Sequence, residues 1–261
     1  MKGFRFLLTG ALGFLILAVG QSAFAGALSL RLTDSATGVT VTVVDVGGTG
    51  MVNYNGMVGN FTVNVTTGLS KPILGVPGVG HMDLSSVDVS CLGVARQCNG
   101  IKQQGPDTLK IELSDINFPG QGAGIFTASA GGTIGAPNSS ITFKTWEDSG
   151  NVIFGQGSQP TDPSLTLGTF TYNSACFGCF SGTVSSLVNP IGTYSMTLEA
   201  DITNPKGIVN DSFDFEVKNA SVPEPETLVL FAAGLVAMGL VARQRFYAAR
   251  YSPSPISRRN S

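Results

Sequence analysis

The side chains able to do chemistry in this sequence are few and scattered. One histidine, His81, sits in a Gly/Pro-rich turn region, Gly78-Val79-Gly80-His81-Met82-Asp83. Carboxylates recur in short groups: Glu147-Asp148, Glu199 with Asp201, and Asp211 with Asp214 and Glu216. Sugar hydrolysis needs two carboxyl groups flanking the scissile bond, so each group is a candidate pair. Alternate acids on a strand equally make a solvated face, or ligate Ca²⁺ together with loop carbonyls. No Asp-x-Asp-x-Asp-Gly loop is present, and no G-x-S-x-G elbow exists to seat a nucleophile beside His81. The glycine runs Gly47-Gly48-Thr49-Gly50 and Gly120-Gln121-Gly122-Ala123-Gly124 lack the Gly-Lys-Ser/Thr of a phosphate loop. The only tryptophan, Trp146, reads as a core side chain or as a platform for stacking a sugar. Without a dense constellation of His, Cys, Asp and Glu, the expectation is a non-catalytic protein with no cofactor and no metal.

The four cysteines lie in two groups, Cys91 and Cys98, then Cys176 and Cys179, and allow three pairings. Zinc would suit the C-x2-C half, but the other half is C-x6-C, wide for a knuckle. Cys176-Phe177-Gly178-Cys179 opens no helix that could lower a thiol pKa, which argues against redox chemistry. Disulfides that pin loops are the expected use in an exported chain, with local pairing favoured.

Short alternating strands must position these residues. Val39-Thr40-Val41-Thr42-Val43 puts Val on one face and Thr on the other. Similar runs follow at 60–66, 82–91, 108–115, 124–130, 140–146, 165–172, 194–202 and 213–218, bounded mostly by Gly, Pro, Asn or Asp. No stretch between 26 and 220 keeps a 3.6-residue apolar period. The expected fold is all-β, a two-sheet antiparallel sandwich over residues 26–220.

Charge sets the topology around that domain. The chain has 261 residues and a net charge of −2, which argues against nucleic-acid binding. Residues 26–220 hold 8 basic and 15 acidic side chains, whereas five Arg follow residue 242. Lys2 and Arg5 precede the apolar run 6–20, and Ala23-Phe24-Ala25 is a small-x-small cleavage signature before Gly26. That pattern predicts a signal peptide over residues 1–25. A second uncharged run, Leu228 to Ala242, rises about 22 Å as a helix against about 30 Å of bilayer core, and flanking Arg side chains can snorkel outward. A single C-terminal transmembrane helix over 228–242 is expected. The Arg residues that follow keep the tail inside, so residues 246–261 are expected to form a basic cytoplasmic tail.

Val222-Pro223-Glu224-Pro225-Glu226-Thr227 precedes that run. Two prolines around a glutamate hold the chain extended and readable. Pro-Glu-Pro, an apolar run and an Arg cluster, behind a signal peptide, resemble the PEP-CTERM sorting domain of Gram-negative bacteria. The resemblance covers about 23 residues and implies Pro223, Glu224 and Pro225 as the recognition motif of exosortase, a multi-spanning membrane protease. It implies export through the inner membrane, anchoring with Arg243 and Arg245 as stop-transfer charges, then release or transfer to the cell surface. Association with extracellular polysaccharide and biofilm is implied as well. The sequence departs from the family by continuing after the Arg cluster. The expected function is a structural or adhesive component of the envelope or polysaccharide matrix. The alternatives are a glycan-binding module and a secreted glycan-active enzyme.

Overall fold

The computed structural model describes residues 28–75, 79–91, 106–120, 122–159, 162–204, 209–221, 231–236 and 238. The signal segment with Ala23, Ala25 and Gly26, together with Cys98, Pro223, Glu224, Pro225, Arg243, Arg245 and the 246–261 tail, lies outside them. The strands are β1 Ser29–Asp34, β2 Thr40–Val44, β3 Met51–Val58, β4 Phe61–Leu69, β5 Gly80–Cys91 and β6 Asp107–Pro119. They continue as β7 Gly124–Thr133, β8 Ser140–Asp148, β9 Ser164–Thr171, β10 Cys179–Val188, β11 Thr193–Asn204 and β12 Asn210–Ser221. Sheet 1 has the order β2-β1-β6-β11-β8-β9 and sheet 2 the order β10-β7-β12-β5-β4-β3. All pairings are antiparallel. The result is a sandwich, as the alternation predicts.

The period-2 pattern decides which side chains meet between the sheets. Leu109, Ile111 and Leu113 of β6 and Leu198, Ala200 and Ile202 of β11 face Val63 and Val65 of β4 and Phe213, Phe215 and Val217 of β12 within one buried cluster. In β5 the alternation breaks. Met82 and Leu84 are buried, and so are Val87, Val89 and Cys91, although the two sets differ in parity. The pairing with β12 shifts between Phe213 and Phe215, and Ser86 has φ 52°. One extra residue at Ser85-Ser86 bulges out and turns both sets inward. Asp214 Oδ1 accepts the Ser86 backbone N–H at that bulge.

Three strands go unread in the sequence. β1 alternates Leu30 and Leu32 around Arg31, but it follows closely on the expected signal segment and is overlooked there. β3 contains Gly56, and β10 is an edge strand of Ser, Gly and Thr with little burial. Trp146 is not a core residue. It shares the outer face of β8 with Thr142 and Lys144, whereas Ile141, Phe143 and Thr145 are buried. Residues 231–236 are helical, and among the described residues no helix is long and apolar enough to cross a membrane. Most of the remainder of 228–242 lies outside the described residues.

Candidate functional site

The outer face of sheet 1 carries a row of charges built by register. Arg31 of β1 stands opposite Glu112 of β6, Glu112 opposite Glu199 of β11, and Glu199 opposite Lys144 of β8. Arg31 donates to both Glu112 oxygens, Nε at 2.6 Å and Nη2 at 2.7 Å. Glu199 is 1% exposed and accepts from Lys110 Nζ (2.9 Å), Lys144 Nζ (2.9 Å) and Gln156 Nε2 (3.2 Å). Lys144 also reaches Asp201 at 2.7 Å. Burial by itself would lift the Glu199 pKa; the hydrogen bonds from Lys144 and Lys110 outweigh it and hold the carboxyl below its ordinary range. At Asp201 burial wins over the same lysine and raises the pKa. Beside the row lies an open groove of about 440 Å³, lined by Arg31, Thr33, Thr40, Lys110, Glu112 and Gln156 among others.

The β8–β9 connection covers part of this face. Asp148 accepts the backbone N–H of Ser158 (2.7 Å), Gly150 (3.1 Å) and Val152 (3.4 Å). These bonds overcome burial and lower its pKa. A Cβ on Gly155 would stand 2.1 Å from Asp148 Oδ2, so the loop closes this tightly only with glycine there. Further along, the Phe154 N–H donates to Ser114 Oγ (2.9 Å), and the Arg31 guanidinium lies 4.0 Å over the Phe154 ring. Asp148→Ala is expected to cost about 2 kcal/mol, because several backbone donors of the loop lose a charged acceptor. Chymotrypsin cleavage after Phe154 should accelerate in that variant; an unchanged rate would show that the loop holds itself.

The carboxylate groups read as catalytic candidates therefore separate. Glu147 and Asp148 point oppositely from adjacent positions, Glu147 toward sheet 2 and Asp148 into the loop. Glu199 and Asp201 are neutralised by lysines. Asp211 accepts from the Gly135 N–H (2.9 Å) and Asn204 Nδ2 (3.0 Å), Asp214 holds the bulge, and Glu216 pairs with His81 (2.6 Å) and Lys218 (2.6 Å). His81 thus belongs to a surface ion cluster on sheet 2. Among the described residues no group of three or more His, Cys, Asp or Glu could hold a metal. Cys176 and Cys179 form a disulfide, with Cα atoms 5.4 Å apart, and Cys91 is disulfide-bonded as well.

Sequence reading missed the environment of Glu147. It is 3% exposed, and its Oε2 accepts from Asn219 Nδ2 of β12 at 2.9 Å; the same amide reaches the Tyr194 hydroxyl at 3.2 Å. Burial pushes the Glu147 carboxyl up to about 7, and the Asp162 charge adds to the rise. Asn219 lies two residues before the end of β12 at Ser221. The family comparison begins at that strand end, where residues 221–245 match.

Those residues are a PEP-CTERM protein-sorting motif. The motif implies an exported, surface-sorted protein and an exosortase substrate. No curated protein matches the sequence. Among solved structures, that of TmCBM61 in complex with β-1,4-galactotriose is similar at 7% identity, covering 60% of this chain and 86% of that one, with a TM-score of 0.29.

Proposed function

We propose that the protein is a non-catalytic structural or adhesive component of the envelope or extracellular polysaccharide matrix. In this reading the β domain is exported behind a cleaved signal peptide, held by the 228–242 segment, and then cut free near Pro223–Pro225. One observation carries the non-catalytic part. Apart from Glu147, the acids that could have formed a hydrolytic pair are engaged by backbone N–H groups, lysines, an asparagine or His81. An acid held in this way orients structure; it is not poised to protonate a leaving group or attack a sugar. Glycan binding is the second reading, favoured by Trp146, which shares its strand face with Lys144 beside Glu199.

The test follows the protein in its own cells. Intact mass should show a wild-type product starting at Gly26 and ending near Pro223–Pro225, recovered with washed extracellular matrix. Pro223→Ala/Pro225→Ala should remain full-length at its C-terminus and stay with the membrane. The same product from both would sink processing at this motif. Soluble sugar released from purified matrix by the wild-type protein would overturn the non-catalytic reading.

A further inference from the structure

At the end of the sandwich where β12 leaves for the sorting motif lies a cleft of about 630 Å³, separate from the groove on sheet 1. Volumes of about 300–1,000 Å³ are usual for sites that hold small molecules or sugar residues. Among the described residues that line it, the acids are Glu147 and Asp162, and there is no Lys, Arg or His. Pro163, Leu187, Pro190 and Ile191 supply an apolar wall; Leu187 is 80% exposed and Ile191 86%. Ile191 and Leu187 thus stand largely in water at the mouth.

Three buried polar groups converge at the floor. Asn219 is 4% exposed and Tyr194 1%. Asn219 gives its Nδ2 protons to Glu147 Oε2 and the Tyr194 hydroxyl, and a Cβ on Gly124 would stand 2.7 Å from its Oδ1. Gly124 therefore leaves room for the amide to be held in that orientation. Glu147 Oε1 accepts no hydrogen bond from the described residues, although the side chain is 3% exposed and lines the cleft. A largely buried carboxyl whose second oxygen opens on a cleft with no basic side chain among its described lining residues is matched by a donor that brings positive charge.

We propose that this cleft binds the protonated 2-amino group of an amino-sugar residue in a cationic polysaccharide, with the sugar's C–H face against Leu187 and Ile191. The cleft is larger than one extended lysine side chain needs, and its wall suits a ring. This rests on the reading of the domain as a matrix component, and it names the matrix chemistry. The ammonium group sits between Glu147 and Asp162, and the Tyr194 hydroxyl takes or gives a hydrogen bond to a ring hydroxyl.

The mature product purified from producing cells would be titrated with three probes: a β-1,4-linked glucosamine tetramer, its fully N-acetylated form, and tetralysine. The glucosamine tetramer should bind at least roughly tenfold more tightly than either of the others, as one charged hydrogen bond predicts. Glu147→Gln keeps the shape and the Asn219 contact but loses the charge, and should weaken that tetramer by roughly tenfold or more. Ile191→Ser, at an exposed position that the fold does not use, should weaken it less. Equal binding of the acetylated probe would overturn the charge argument. Tighter binding of tetralysine would overturn the sugar assignment, and no binding of any probe would overturn the site. Matrix recovery of the wild type separates the two readings: recovery with matrix but no tetramer binding sinks this site alone, whereas absence from the matrix sinks the matrix reading.

Discussion

Phe143→Ala is expected to destabilise the domain by about 3–5 kcal/mol, the usual range for emptying a buried aromatic site. Phe143 is fully buried on β8, with ring centroids of Phe215 at 4.9 Å, Phe213 at 5.2 Å, Phe180 at 5.7 Å and Phe170 at 6.0 Å. Phe170 and Phe180 also meet, at 4.8 Å, and they sit on β9 and β10, the edge strands of the two sheets. The cluster thus closes one open side of the sandwich, and Phe143 touches both parts of the seal. A Cβ on Gly182 would come 2.6 Å from the Phe170 ring, so the neighbours have no bulk with which to refill a hole. A midpoint drop of roughly 10 °C is expected for a domain of this size. Phe170→Leu, at a partly buried position, should cost much less. Urea unfolding that ranks the two variants equally would show that the seal, not the hub, carries the energy.

The second large effect is one of pH. Glu147 has an ordinary value of 4.5 in the open chain and about 7 in the folded domain, raised first by burial and then by Asp162. The hydrogen bond from Asn219 acts the other way, and Tyr194 beside it is itself pushed up by burial and by the Glu147 charge. Between those two values the folded state keeps a proton that the unfolded state has released. Stability from this group is complete below pH 4.5 and is lost as pH rises through 7. The loss amounts to about 3 kcal/mol. Glu147→Gln removes that slope, so the variant's advantage over the wild type should grow by about this amount between pH 4.5 and 8. The remaining carboxyls are common to both proteins and cancel in the difference. Parallel stability curves would mean that the carboxyl is hydrated in solution.

The sandwich was legible where side chains alternate strictly. Val41 and Val43 pack on the core while Thr40 and Thr42 face out, as their spacing says. β10 was not legible, because Ser181, Gly182 and Ser185 describe an edge strand no better than a loop. The charged row was invisible for a different reason. Arg31 and Glu112 are 81 residues apart, and only the β1–β6 register brings them together. The same applies to Glu147, whose partner Asn219 comes from the opposite sheet, 72 residues on. Asp148, one residue away, shows how far pleat and register govern role: it ties a loop, whereas its neighbour floors a cleft. The sorting motif was the most legible feature, since its chemistry is carried by consecutive residues and needs no tertiary contact to be recognised.

β12 lies inside sheet 2, paired along its length with β7 on one side and β5 on the other, and it ends where the sorting motif begins. If the protein is held by its C-terminus, as proposed above, that placement has a mechanical meaning. Drag on the domain pulls β12 along its own axis, so both flanking ladders are loaded in shear and their hydrogen bonds share the force. Had the chain left from an edge strand such as β2 or β9, the same force could peel one bond at a time.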